Sequence, residues 1–347
     1  MEHDSRQPTT ENPTTNNTEH RPNGADGDRR HRQHWPLVLL CTILHRVGLV
    51  LIAATLFSFA GDVWWFFELF SHFRVQYVVG LIACLPLLLI AKQFRLGTVV
   101  GVALLLNLST VAPIFFPTGA TPDDGEWNRV LFANVLSANQ QKDRLLELVH
   151  KEDPDFIVLQ EVTEAWMTGL KPLASRYPHV LAEPRDDNFG IALLSKKPWR
   201  TADVVYGDGI DLPMIEARFA GEGQVPFTLF SMHPVPPIGE AMAKLRNRHM
   251  QALAGHLREW HQPVLLVGDL NTTPWSPRYR AFQDASGLTG TIRGNGWQPT
   301  WPTGFAPLYI PLDHCFHSKT IIIGAKRVGP DIGSDHFPLI IDFRVSF

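Results

Sequence analysis

The tetrapeptide Gly268-Asp269-Leu270-Asn271 ends an apolar, β-branched run, Pro263-Val264-Leu265-Leu266-Val267. Such a run reads as a buried strand, so a carboxylate and an amide fall at its carboxyl end, the edge where α/β sheets hold ligands. Asp and Asn also start ordinary turns by bonding their own backbone, and this stretch alone says little. The pattern recurs, however. Val130-Leu131-Phe132-Ala133 runs into Asn134, Phe156-Ile157-Val158-Leu159 into Gln160-Glu161, and Phe230-Ser231-Met232 into His233. Leu312-Asp313-His314 adds another carboxylate, and Gly333-Ser334-Asp335-His336 precedes a last apolar run. Turn chemistry explains any one of these ends. Together they are the inventory of a metal-assisted phosphoester hydrolase.

Each residue has an expected role. Hard cations such as Mg²⁺ or Mn²⁺ take oxygen ligands and Mg²⁺ keeps several waters, so one or two carboxylates with amide neighbours suffice. Glu161 is the first expected ligand, helped by Asn134 and by Asp335 or Asp269. The metal would polarise a phosphoryl oxygen. Water must then lose a proton, and a histidine held by a carboxylate suits that task near neutral pH. His336 with Asp313 is the expected dyad, Asp269 and Asn271 would align the nucleophile, and His233 would hydrogen-bond a phosphate oxygen.

Asn134, Leu159-Gln160-Glu161-Val162, His233, Gly268-Asp269-Leu270-Asn271, Leu312-Asp313-His314 and Ser334-Asp335-His336 resemble, in order and spacing, the endonuclease/exonuclease/phosphatase superfamily (DNase I-like). Asn188-Phe189-Gly190-Ile191 resembles its middle strand. The resemblance covers residues 128–347 and implies a four-layered α/β sandwich, divalent-metal dependence and phosphoester cleavage. By position it makes Asn134, Glu161, His233, Asp269, Asn271, Asp313, Asp335 and His336 the site. One departure is Pro234-Val235-Pro236-Pro237 directly after His233, which reshapes one wall and leaves the substrate open.

The elements that must position these residues follow an α/β rhythm. Strands are expected at 130–136, 156–162, 190–195, 227–233, 264–271, 313–317 and 339–345. Helices are expected at 140–151, 238–260 and after Pro277, with Ser276 as cap. This alternation suggests two mixed sheets packed face to face with helices outside.

Ahead of this domain the chain is different. Residues 1–34 are polar and read as a disordered tail ending in the basic cluster Arg29-Arg30-His31-Arg32. Three apolar segments follow at 35–60, 75–91 and 96–117, with Trp64-Trp65-Phe66-Phe67 as an aromatic belt. The third is long enough to cross about 30 Å of hydrocarbon and carries no charge. The first contains Arg46, a costly residue deep in a bilayer unless it snorkels. A Pro- and Gly-rich linker at 118–127 leads into the catalytic domain at 128–347.

Lys92 and Arg95 occupy a short turn between the second and third segments, so that turn is expected to be cytoplasmic, as is the Arg29–Arg32 cluster. The catalytic domain then lies outside the cytoplasm, on a multi-pass anchor in the cell (inner) membrane. Helical anchors ahead of such a domain resemble a bacterial membrane-bound branch. Of the three cysteines, only Cys315 lies in the catalytic half, so no disulfide forms within that half.

Residues 121–347 carry 22 Lys and Arg against 26 Asp and Glu, a balance of −4. Affinity for nucleic acid without sequence readout comes from cations neutralising phosphates, so a nuclease is the second expectation. A lipid-linked phosphate or a phospholipid head group is the first, and a membrane-tethered binding module without activity the third. Lys244, Arg246 and Arg248 read as a solvated helix face. No obligate protein partner is evident.

Overall fold

The computed structural model describes residues 25–116, 127–207, 209–220 and 225–346, with side chains from residue 38 onward. The linker at 118–127 lies outside the described residues except for Trp127, as does the tail up to residue 24.

The amino-terminal part is a helical bundle: α1 (Ala25–Phe59), α2 (Trp65–Ser71), α3 (Arg74–Ile90) and α4 (Phe94–Val111). The first helix starts at Ala25, within the stretch expected to be disordered; the long apolar segment supplies the nucleus, and the helix extends from it through Pro36 and Gly27 into the polar residues. Val38–Phe59 and Phe94–Phe115 are long and apolar enough to cross a membrane. The pair α2 and α3, bent by 60°, would make a third crossing if it is one span. Leu81, Cys84, Leu88, Val100 and Ala103 form the bundle's core. Val50, Val79, Ile82, Val102 and Leu105 point outward with more than half of their surface exposed. The bundle is thus apolar on its outside as well as its inside, the pattern expected of helices that face an apolar solvent or partner.

Arg46 is not stranded in the middle of this bundle. His45 Nδ1, one residue earlier, lies 3.1 Å from Gln93 Oε1, so Arg46 sits at the level of the Lys92–Arg95 turn. Arg74, a stray positive charge at the opposite end in sequence terms, is buried in protein and is no loop charge.

Among the described residues the rest of the chain forms twelve strands: β1 (Asn128–Asn134), β2 (Phe156–Gln160), β3 (His179–Glu183), β4 (Ile191–Ser195), β5 (Thr201–Gly207), β6 (Ile210–Phe219), β7 (Phe227–Met232), β8 (Val264–Asp269), β9 (Thr289–Gly290), β10 (Asp313–His317), β11 (Ile321–Val328) and β12 (Leu339–Val345). They form two six-stranded mixed sheets, ordered β11-β12-β1-β2-β4-β3 and β5-β6-β7-β8-β10-β9. Phe132, Phe156, Val158, Leu229, Leu265, Val267 and Phe343 fill the space between them. The outer face of the first sheet is covered by α5 (Lys142–Glu152) and α6 (Glu164–Gly169), and that of the second by α7 (Glu240–Arg258) and α8 (Pro277–Ser286). The architecture is the expected four-layered sandwich.

Two features place the site. Each sheet has one parallel pair, β1 with β2 and β7 with β8, and their carboxyl ends lie at the same end of the sandwich. Asn134 is in register with Gln160, and Asp313 at the start of antiparallel β10 is in register with Asp269. The second feature is Gln160, fully buried, whose side chain joins the sheets. Its Nε2 donates to Met232 O (2.8 Å) and Ser231 Oγ (3.1 Å), while its Oε1 accepts from Asp269 N (3.0 Å). Gly268 makes this possible: a Cβ there would lie 2.3 Å from Met232 O.

Candidate active site

The expected residues converge at this end of the sandwich. Asn134 Nδ2 donates to Glu161 Oε1 (2.9 Å) and lies 3.3 Å from Asp269 Oδ2, so it bridges the two sheets. Glu161 Oε2 also accepts from Ser137 N (3.3 Å). Asp269 Oδ1 accepts from Asn271 N (2.8 Å), and Asn271 Nδ2 donates to Pro234 O (2.9 Å), which ties the Pro-rich wall to the site. His233 Nε2 and His336 Nε2 each lie 3.5 Å from Asp269 Oδ2. His336 Nδ1 lies 2.9 Å from Asp313 Oδ2. Asp335 is held by Trp301, whose Nε1 donates to its Oδ2 (3.2 Å).

The backbone is strained where the chemistry is concentrated. Glu161 has φ 62° and Asn271 φ 47°, left-handed conformations that suit glycine. Asparagine tolerates this region through local hydrogen bonds, but glutamate does not. The surrounding bonds to Asn134 and Ser137 hold Glu161 there, as strained functional residues are held elsewhere.

Charge in the site is paired and desolvated. Burial alone would raise the Asp269 carboxyl, but His336 and His233 beside it bring it down to about 2. Burial likewise disfavours the His336 imidazolium, yet the Asp313 and Asp269 carboxylates push it up to about 10. Burial pushes Asp313 up. The result is an imidazolium held between two carboxylates.

A hard dication fits the donor set. Within it, Asp313 Oδ1 and Asp335 Oδ1 are buried without a hydrogen-bond partner, and an acceptor oxygen with no donor is an available ligand. Asp269, Asp313 and His336 bring ligand atoms within 4.8 Å of one another, but His336 and Asp313 already bond each other. Of the residues expected as ligands, Glu161 and Asn134 are in direct contact, and Asp335 keeps an open carboxylate oxygen.

One expectation is corrected. Arg246 is not on a solvated face: it is completely buried. Lys244, Arg246 and Arg248 are spaced by two, and such neighbours do not share a helix face. Lys244 points outward and pairs with Glu240, while Arg246 points inward. Its Nη2 donates to Glu68 Oε2 of α2 (2.6 Å) and its Nη1 to Asn271 O (3.2 Å). Glu68 Oε1 accepts from Ser276 Oγ (2.7 Å), and His72 Nδ1 lies 3.0 Å from Thr273 Oγ1. His314 Nε2, next to the dyad's Asp313, contacts Thr272 O (2.8 Å). The amino-terminal helices therefore grip the loop that begins at Asn271. Nothing in the spacing of Glu68 and Arg246 signals this pair.

Breaking that pair should be costly, because a lone buried charge is left behind. Arg246→Ala is expected to destabilise by about 3–5 kcal/mol and to lower the melting midpoint in detergent. A midpoint unchanged from the parent would show that Glu68 finds other compensation.

The endonuclease/exonuclease/phosphatase family profile matches residues 130–336. The chain belongs to this family. It is thereby a hydrolase of phosphoester bonds. Among solved structures the fold is similar to a humanized TDP2 from D. rerio (17% identity, TM-score 0.52, covering 63% of this chain and 99% of that one). It is also similar to the catalytic domain of human Nocturnin with bound sulfate (19%, 0.53, 63% and 95%). A third is the 3′ phosphatase NExo from Neisseria bound to a product DNA hairpin (17%, 0.54, 63% and 100%). These likenesses stop short of the helical bundle. No curated protein matches the chain.

Proposed function

We propose that this family member is a membrane-anchored, divalent-metal-dependent phosphoester hydrolase that acts outside the cytoplasm on a lipid-linked phosphate or pyrophosphate, or on a phospholipid head group. The observation that carries the reading is the grip of the anchor on the catalytic loop through Glu68, Arg246 and Asn271. An active site bonded to its own membrane segment meets head groups at a high effective concentration, without a long tether to search through.

The residues divide the work as follows. Glu161, Asn134 and Asp335 would hold the cation, which when bound polarises the phosphoryl oxygen and favours loss of the His336 proton. Asp269 and Asn271 orient the attacking water. His336, freed of its proton and kept in one tautomer by Asp313, takes a proton from that water. His233 reaches a phosphate oxygen from the opposite side of Asp269.

A nuclease is the second reading. It is favoured by the DNA-bound NExo structure and opposed by the −4 balance of residues 121–347, an opposition strengthened by the burial of Arg246, which leaves one fewer surface cation. A tethered binding module, the third reading, would need a catalytic residue to be missing, and none is. Turnover of a bis-aryl phosphate that requires Mg²⁺ or Mn²⁺ separates enzyme from module. Preference for lipid-phosphate substrates over plasmid DNA supports the first reading, and the reverse preference overturns it.

Topology is tested separately. Fusions after residue 347 are expected to be phosphatase-active and non-fluorescent, because the Lys92–Arg95 loop is short enough for its charge to set orientation. A fluorescent, phosphatase-inactive pair would put the domain in the cytoplasm and remove the outer-leaflet substrate.

A further inference from the structure

Where the anchor meets the catalytic domain there is a cavity of about 250 Å³, separate from the catalytic cluster. Its walls are the start of α3, the end of α4 with the turn after it, the Pro274–Trp275 segment and α8. The span Phe94–Phe115 ends here, so the cavity lies at the level where hydrocarbon gives way to head groups.

Three arginines face it, Arg74, Arg280 and Arg293, and no carboxylate is in its lining. Arg74 is 2% exposed. Its Nη2 donates to Ser58 O (3.1 Å), its Nη1 lies 3.4 Å from Thr110 Oγ1, and its guanidinium stacks 3.9 Å from the centre of Phe59. All three partners are neutral, and Arg74 Nε is buried with no acceptor. Tyr279 is in the same lining, and its Oη, close to Gly290, is also buried and unpartnered. Arg280 and Arg293 are exposed at the mouth, and neither forms an ion pair among the described residues. A buried guanidinium ordinarily has a carboxylate opposite it, as Arg246 has Glu68. Two unpartnered donors and three cations, with no carboxylate in the lining, make this small cavity strongly positive.

We propose that this cavity binds a phosphate mono- or diester, with the head group of an anionic phospholipid as its source. Guanidinium suits phosphate through paired, charge-assisted hydrogen bonds, and a hydroxyl such as Tyr279 Oη adds a neutral donor. The volume is below that of a drug-sized site, which suits a head group whose acyl chains remain outside along the apolar bundle. Trp275 lines the cavity, and its Nε1 donates to Thr110 O (3.2 Å). The same segment continues back to Thr273 and Asn271, so occupancy would brace the catalytic loop from the membrane side. This inference is independent of which substrate the enzyme cleaves. It rests on the membrane reading only for the ligand's source.

The test uses the full chain in neutral detergent, with native mass spectrometry after addition of phosphatidylglycerol or phosphatidylcholine. One phosphatidylglycerol per chain is expected to be retained and phosphatidylcholine not. The double variant Arg280→Glu with Arg293→Glu should weaken retention on the order of tenfold or more, the effect of losing charged hydrogen bonds. That variant touches no residue of the catalytic cluster, and a melting midpoint unchanged from the parent in lipid-free detergent shows that it is folded. Arg74→Met should abolish retention; where it does not fold, the double variant decides. Inorganic phosphate provides the other arm. Full displacement of the lipid by it supports phosphate as the ligand whatever its source, and resistance to it supports the intact lipid. Equal retention of both lipids, or equal retention of phosphatidylglycerol by parent and double variant, overturns the proposal.

Discussion

Glu161→Ala is expected to abolish metal-dependent hydrolysis, with a loss on the order of 10³-fold or more, since the Lewis-acid contribution is several kcal/mol and each 1.36 kcal/mol is tenfold. The carboxylate stands where both strand ends and both sheets meet, hydrogen-bonded by Asn134 Nδ2 and by Ser137 N. Turnover should be followed across a Mg²⁺ titration, with metal binding measured by calorimetry. If both persist in the variant, Glu161 is not a ligand. Glu161→Gly supplies a second readout from the backbone. At φ 62° a glutamate is strained by about 1–2 kcal/mol relative to glycine, so the glycine variant should be equally inactive yet no less stable than the parent. A glycine variant that melts well below the parent would mean the carboxylate's bonds outweigh the strain.

The second large effect is at the dyad. His336→Ala is expected to reduce turnover by about 10²–10⁴, the range of general acid–base help, whereas Asp313→Asn should cost less. Asp313 acts through the imidazole: its Oδ2 lies 2.9 Å from His336 Nδ1, so it orients and polarises the ring. Steady-state kinetics of the two variants side by side decide this. Small and equal losses would show that the nucleophile forms without this pair.

Much of this site is legible in the amino-acid sequence, and for a physical reason. Strands buried on both faces are largely apolar, so β1, β2, β7 and β8 stand out, and the polar residue at or just after the end of each marks the functional edge; β10 and β12 meet that edge at their starts, at Asp313 and just after His336. The remaining strands do not have that signal. β3, β5 and β11 include the sheet edges, with side chains partly in solvent. β6 is an interior strand disguised by Pro213, Asp211 and Glu216. Its proline pairs only with Tyr206 of β5, at a position where β7 pairing has not yet begun, which is the place a strand tolerates a missing N–H.

The supporting residues are illegible for another reason: their partners are remote in sequence. Gln160 reads as part of a Gln-Glu pair, and only the fold shows that its side chain, and not Glu161's, fastens Asp269 N and Met232 O together. His249, buried with both ring nitrogens unpartnered and brought down to about 4 by burial, has no motif at all. Arg246 and Glu68 are each ordinary in their own surroundings and meaningful only together.

That last pair has a consequence for how the enzyme can be released. Many tethered enzymes are freed by one cut in the connecting peptide, after which the catalytic part diffuses away. Here a protease acting between residues 116 and 127 would sever the chain but not the molecule, because Glu68, His72, Gln76 and Thr110 still hold Arg246, Thr273, Tyr309 and Trp275 by hydrogen bonds. Departure would strand a buried guanidinium on one piece and a buried carboxylate on the other. On the membrane-anchored reading proposed above, the nicked protein should stay with the membrane as a two-chain enzyme, and its activity should not be shed into the surrounding medium.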